Sequence, residues 1–568
     1  MSESARQLLE EALALLGEAK TREGIERLER VVVLDPDCAE AWGHLFWHVA
    51  PTDRREQGLR CLDEILRLDP GNLEARWRRA DQLVRLGRLD EAEAQYRAVF
   101  EDHPECHDAR TGIRWIDWMR RRGRNPASDE KSQCGLDPAA FEKRREIRTR
   151  SLEHFRRRDL RLTTLPQSLE IESSTRCNAA CITCNRGRDP YYGEDLAPEI
   201  FEQIERTLLP TAWDINLTGY GEPLLARRFD KFHEQACRSG ASVYLVTNGM
   251  LLTLDRLDRF ARHRTDLIVS IDGAKAETFE SIRPPARFDR LVESLRLFKK
   301  ARGLYPEVGS QLGINFVGLR RNIEELPDLV DLAAELGATF VTVLDFIPGV
   351  GLPDLGHEHL SSCPDLANQM FDKAAARASK HNINLYLPPK FGGQIVPPGT
   401  SLSGRLKRAR RFFPERNRFP QRCSDPWNKV LISTSGLVHP CCACRYVMGD
   451  LKTQDITTIW NGRRYRWFRR RIRSFFPPSD CRICNQHGGI NAGNPMAVRA
   501  REGILIKALY LAEKHVRRLA EKIQSVFAPP PPAPRPNYFK GRRIKNGDRL
   551  SISPQTDGHV PCQRARNK

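Results

Sequence analysis

The sequence predicts a multidomain chain: an α-helical repeat array, then an α/β partial barrel of six βα units, then a small cysteine-bearing domain. Three observations carry this reading. Pro36, Pro70 and Pro104 recur at a 34-residue period, each closing a pair of amphipathic helical patterns. From Leu165 onward, short β-rich runs alternate with helical patterns, as parallel βα units require. The cysteines gather in two clusters far apart in a long chain, as metal ligands do, instead of being spread as a disulfide framework.

In the last repeat, Trp77, Leu86-Gly87, Ala92, Tyr96 and Pro104 place large, small and helix-ending residues in turn. Gly87 and Ala92 let two helices approach, and the proline stops the second one. On these residues, 3–118 resembles a short tetratricopeptide array. The resemblance implies a concave surface for a peptide or partner protein; an array that only docks rigidly on the next domain is the equal alternative. Residues 119–164 read as a linker and lead-in helix, polar and charged from Arg121 to Asp137.

Candidate strands of the barrel, residues 165–350, are Ser168 to Glu172, Asp214 to Thr218, Ser242 to Thr247, Leu267 to Ile271, Gly313 to Val317 and Thr339 to Leu344. Chemistry in such barrels gathers at the C-terminal ends of strands. After the first strand, Cys177, Cys181 and Cys184 form a C-x3-C-x2-C triplet. Three thiolates on one loop fill three corners of a 4Fe-4S cluster and leave the fourth iron open. A zinc knuckle is the plainer alternative. After the second strand, Gly219-Tyr220-Gly221-Glu222-Pro223 presents a carboxylate on a glycine-relaxed turn. At the end of the fourth, Ser270 and Asp272 point the same way by strand alternation, although Asp272 could instead cap the following helix.

The triplet and these later motifs together resemble the radical S-adenosylmethionine superfamily and its TIM-like (βα)6 partial barrel. The resemblance implies that the Cys177/Cys181/Cys184 cluster chelates S-adenosylmethionine. It assigns the methionine ammonium group to the turn of Gly221, Glu222 and Pro223, and the ribose hydroxyls to Ser270 and Asp272. Reductive cleavage would then give methionine and a 5'-deoxyadenosyl radical that abstracts a substrate hydrogen. Thr183 departs from the family, where an aromatic residue commonly precedes the third cysteine. The run Gly313 to Gly318 matches the adenine-contacting strand only loosely.

Residues 351–422 read as a connecting segment, and 423–490 as a second cysteine domain. Cys423, the Gly436-x4-Cys441 hairpin, Cys442, Cys444 and the pair Cys481-x2-Cys484 resemble the SPASM/twitch extension of radical enzymes. The further downstream cysteines of the full SPASM pattern are missing, because only Cys562 follows Cys484. The expectation is therefore one auxiliary 4Fe-4S cluster on Cys423, Cys441, Cys481 and Cys484, with Cys442 or Cys444 as substitutes. Four thiolates with a C-x2-C pair also suit tetrahedral zinc.

The chain has 568 residues and a formal net charge of +19. Arginine runs such as Arg469-Arg470-Arg471 fall inside helical patterns and read as solvated faces; no nucleic-acid motif accompanies them. Met-Ser-Glu-Ser-Ala-Arg lacks the layout of a signal peptide, and no run of about 18 apolar residues occurs. The expected compartment is the cytoplasm, with neither a membrane nor a nucleic-acid partner. Residues 499–528 read as a basic amphipathic helix, and 529–568 as a Pro-rich, basic, disordered tail. The resemblance further implies a reducing donor such as a flavodoxin or ferredoxin. The expected substrate is a peptide or protein; a small sugar or cyclitol is the alternative, and a catalytically inactive tetratricopeptide scaffold is the reading from another class.

Overall fold

The computed structural model describes residues 2–18, 20–50, 52, 54–127, 138–184, 193–346, 355–391, 423–442, 444, 446–472 and 478–482. Cys484, the 499–528 helix and the 529–568 tail lie outside these residues.

Seven helices open the chain: α1 (Glu3–Gly17), α2 (Thr21–Leu34), α3 (Ala39–Val49), α4 (Arg55–Leu68), α5 (Leu73–Arg85), α6 (Leu89–Asp102) and α7 (His107–Arg122). Sequential neighbours pack on one another, as the 34-residue period anticipates. Helix α5 begins on Asn72, whose side-chain oxygen accepts from the Ala75 N–H. Tyr96 and Gly112 show why the repeat needs small residues: a Cβ on Gly112 would sit 2.5 Å from the Tyr96 ring. The first units bury their own core, including Leu28, Val31, Leu45 and Leu62.

The last unit packs on the barrel. Lys300, on the barrel helix Phe288–Leu304, lies 2.7 Å from Asp81 of α5 and 3.9 Å from Asp108 of α7. Its ammonium also sits over the Trp77 and Tyr96 rings, at 4.7 and 5.2 Å. The Trp115 indole donates to the Leu297 carbonyl at 2.9 Å, and Glu293 pairs with Arg110 and Arg114. The aromatic residues that mark the repeat therefore also form the seat of a buried barrel lysine. After it, α8 (Pro138–Arg157) lies along the barrel, with the buried Arg144 guanidinium donating to the carbonyls of Leu209, Ala212 and Ser239.

The sheet has ten strands: β1 (Ser168–Ile171), β2 (Asp214–Asn216), β3 (Ser242–Thr247), β4 (Thr265–Ser270), β5 (Leu312–Gly318), β6 (Phe340–Asp345), β7 (Asn384–Tyr386), β8 (Lys429–Ile432), β9 (Leu437–His439) and β10 (Gly449–Asp450). Their order is β10-β9-β8-β1-β2-β3-β4-β5-β6-β7. The six expected strands are all present and parallel. Two more parallel strands flank them. β7 pairs with β6 out of the stretch expected only to connect, and β8 pairs with β1 at the start of the cysteine domain. The first escapes a reading of sequence because it is three residues long with two exposed side chains. The second shows that the C-terminal domain continues the barrel sheet.

Along β3 and β4 the burial alternates strictly. Val243, Leu245, Leu267 and Val269 are buried beneath the surrounding helices, while Tyr244, Val246, Ile268 and Ser270 are half-exposed on the opposite face, towards the barrel interior.

Candidate functional site

The triplet loop leaves the end of β1 and is fastened to the Gly-Glu-Pro turn by backbone. Gly221 N donates to the Ser174 carbonyl at 3.2 Å, and Glu222 N to the Arg176 carbonyl at 2.7 Å. A Cβ on Gly221 would lie 2.2 Å from the Arg176 oxygen, so only glycine allows this approach. Arg176 locks the same junction with its side chain. It forks onto Asp195 at 2.7–3.0 Å and donates to the Leu225 carbonyl at 2.8 Å.

Cys177 and Cys181 are half-buried, and Cys184 is exposed. Cys184 N donates to the Cys181 carbonyl at 3.2 Å, and the Cys181 thiol lies within electrostatic reach of both Cys177 and Cys184. N–H donors face the sulfurs: Ala179 N at 3.4 Å and Asn248 Nδ2 at 3.9 Å from Cys177 Sγ, and Arg283 Nη1 at 3.7 Å from Cys181 Sγ. Burial pushes the Cys181 thiol up to about 11 against the pull of Arg283. Three sulfurs on one loop, ringed by donors and open at Cys184, fit an iron–sulfur cluster, whose thiolates take such hydrogen bonds.

Glu222 is buried, and its carboxylate is engaged within the protein. Oε1 accepts from Leu224 N and the Thr247 hydroxyl, at 3.2 and 2.6 Å, and Oε2 from Asn248 N at 2.8 Å. Burial raises its pKa in spite of these donors. Asn248 then passes the connection on, donating to Asn178 Oδ1 at 2.8 Å beside Cys177. Glu222 thus reaches the cysteine loop through Asn248, the residue after β3. Pro223 opens a short 3-10 turn that Glu222 caps.

Asp272 is fully buried. Oδ1 accepts from Val317 N at 2.7 Å, and Oδ2 pairs with Arg283 Nε at 2.6 Å. Both oxygens of Asp272 are thus engaged within the protein, two residues beyond the end of β4. Ser270 stays on the half-exposed interior face, in register with Asn315 of β5.

Sequence reasoning passed over Glu172, Arg176, Asn178, Asn248 and Arg283. Asn248-Gly249 is an Asn-Gly pair at a strand's C-terminal end, with Gly249 at φ +75°, and was the one legible sign. Glu172 had none. Its carboxylate accepts from Tyr220 N at 2.8 Å and Thr434 N at 3.1 Å, which joins the Gly-Glu-Pro turn to the segment after β8.

In the C-terminal domain, Cys423 and Cys444 are buried, Cys441 and Cys481 half-buried, and Cys442 exposed. The Cys444 thiol hydrogen-bonds Cys481 with Cys441 close by, and this bond, together with burial, raises its pKa. Cys444 N donates to the Cys441 carbonyl at 3.3 Å. Cys444 thus lies beside both Cys441 and Cys481. The sulfur-rich donor set fits a cluster or another thiophilic metal centre. The domain is clamped to the segment leading into the barrel by the Trp427 indole on the Asp159 carbonyl, the Trp460 indole on the Thr164 carbonyl, and buried Arg469 on the Leu160 carbonyl.

A parallel βα barrel whose open strand ends carry a three-cysteine loop against a Gly-Glu-Pro turn defines a class of cluster-bearing barrel proteins. Residues 171–333 match the radical SAM superfamily, 423–485 an iron-sulfur cluster-binding domain (SPASM), and 52–105 and 78–113 the tetratricopeptide repeat. The chain thus carries a radical SAM domain, with tetratricopeptide repeats before it and a SPASM domain after it. Its cofactors are those of these domains, 4Fe-4S clusters and S-adenosylmethionine.

Among its relatives, the AdoMet-dependent heme synthase of Methanosarcina barkeri is 30% identical over 194 residues, 33% of this chain and 52% of that protein. The mycofactocin maturase MftC of Mycolicibacterium smegmatis is 29% identical over 179 residues, 31% of this chain and 43% of that protein. The match thus spans about half the length of these curated relatives. The crystal structure of Streptococcus suis SuiB bound to precursor peptide SuiA aligns over 66% of this chain and 90% of that chain, at 16% identity and a TM-score of 0.42. Among the described residues, no helix is long and apolar enough to cross a membrane.

Proposed function

We propose that this chain is a radical SAM enzyme that acts on a peptide or protein, assisted by one auxiliary 4Fe-4S cluster. The observation that carries the proposal is the seating of the Cys177/Cys181/Cys184 loop against Gly221 and Glu222 through the Arg176 carbonyl. When bound, the cluster and S-adenosylmethionine supply the reductive cleavage that produces a 5'-deoxyadenosyl radical for hydrogen abstraction.

The residues of the chain bind and orient. Cys177, Cys181 and Cys184 hold the barrel cluster. The turn at Gly221 and Pro223 offers backbone to the methionine ammonium, while Glu222 keeps that turn, Thr247 and Asn248 in place. Ser270, in register with Asn315 across β4 and β5, would meet the ribose hydroxyls. Cys423, Cys441, Cys481 and Cys484 remain the expected auxiliary set, with Cys444 as the substitute the geometry favours. The maturase among the relatives and the repeat array support a peptide or protein substrate.

Anaerobically reconstituted protein should bind about eight irons per chain if two 4Fe-4S clusters form. With dithionite and S-adenosylmethionine it should release 5'-deoxyadenosine, and Cys184→Ala should abolish that release. Fully iron-loaded protein that releases none, with candidate peptides present, would favour the inactive scaffold.

A further inference from the structure

The triplet loop and the segment after helix Ala276–Ile282 run side by side. Ala180 N donates to the Pro284 carbonyl at 2.7 Å, and Ile182 N to the Ile282 carbonyl at 3.0 Å. The residues on either side of Cys181 are thus pinned to those on either side of Arg283. This register sets the two side chains opposite each other, with Arg283 Nη1 3.7 Å from Cys181 Sγ. The far edge of the guanidinium is held by Asp272 at 2.6 Å, whose other oxygen is fixed by Val317 N at 2.7 Å. The Arg283 side chain is 11% exposed and that of Asp272 0%. A cation at this depth is weakly screened, and it stabilises whichever state of its neighbour carries more negative charge.

We propose that Arg283, aimed by Asp272, is a positioning residue that holds the Cys181 sulfur and raises the reduction potential of the cluster bound by Cys177, Cys181 and Cys184. This rests on the iron–sulfur reading of the triplet. One-electron reduction adds a negative charge to the cluster, and a guanidinium hydrogen-bonded to a ligating sulfur favours that state. Asp272 sets the size of the effect, because its carboxylate offsets part of the Arg283 charge.

The test is a potentiometric titration followed by electron paramagnetic resonance on the reconstituted full-length protein. The barrel cluster is identified as the signal that changes when S-adenosylmethionine is added. Arg283→Gln should shift that potential to more negative values, and Arg283→Lys should shift it less. Asp272→Asn retains the acceptor for Val317 N and removes the opposing charge, so it should shift the potential the other way. Opposite signs for the two variants are the expected result, since a merely structural role would not produce them. Equal potentials in wild type, Arg283→Gln and Asp272→Asn would overturn the proposal. If Arg283→Gln fails to hold iron, Asp272→Asn and Arg283→Lys decide, and an unchanged or lowered potential in Asp272→Asn overturns it. Wild-type protein that binds no iron would instead overturn the functional reading beneath it.

Discussion

Lys300 of the barrel and Asp81 of the repeat array lie 2.7 Å apart, and the Lys300 side chain is only 3% exposed. Removing one partner of a buried pair leaves the other charge uncompensated, which costs about 3–5 kcal/mol. Lys300→Ala should therefore lower the denaturation midpoint clearly, measured by chemical unfolding. Combining Lys300→Met with Asp81→Asn should recover part of the loss. No change in the single variant would mean that the array is not held by this contact.

Gly221→Ala should disrupt the barrel site selectively. The new Cβ would meet the Arg176 oxygen at 2.2 Å and the Thr175 carbonyl carbon at 2.5 Å, forcing the turn off the cysteine loop. Iron and sulfide analysis should show loss of about one cluster of two. Retention of both clusters with normal S-adenosylmethionine binding would count against the close approach.

Cys444→Ala and Cys442→Ser should behave differently. Cys444 is buried against Cys481, while Cys442 is exposed. Cys444→Ala should reduce auxiliary cluster content, and Cys442→Ser should leave iron near the wild-type value. The reverse pattern would assign the ligand position to Cys442.

Stability should fall as pH drops from about 6.5 towards 4. Burial, then Arg262 and Arg259, depresses His263 to about 4, and burial also holds His233 well below its ordinary value. The unfolded chain takes up these protons near 6.5 while the folded chain resists, so acid favours unfolding across that window. Discounted for the partial exposure of His263, its share is on the order of 1–2 kcal/mol. His263→Gln should flatten the pH dependence of the unfolding midpoint; an unchanged slope would remove His263 from the account.

Glu222→Gln places an amide where Asn248 N, Leu224 N and the Thr247 hydroxyl need acceptors. Two donors would then face each other in a buried site, at about 1–3 kcal/mol. The variant should be less stable and hold its barrel cluster less firmly, as read by thermal denaturation and by the rate of iron loss to a chelator. Wild-type behaviour in both would show that the carboxylate does not organise the loop.

Local chemistry was readable along the chain because it lives in spacing. The C-x3-C-x2-C triplet, the Gly-Glu-Pro turn, the 34-residue period and the six barrel strands each depend on residues close in sequence, where periodicity and turn chemistry act. Contacts between distant segments were not readable in this way. β8 joining β1, Glu172 bridging Tyr220 and Thr434, and Cys444 beside Cys481 all depend on how far-apart segments pack.

Asp272 separates the two levels. The sequence by itself determined that a carboxylate follows the fourth strand near the cofactor site. The folded chain engages this carboxylate with Val317 N and the Arg283 guanidinium. A buried carboxylate needs a donor and a counter-charge, and these come from a neighbouring strand and from a helix end more than ten residues away.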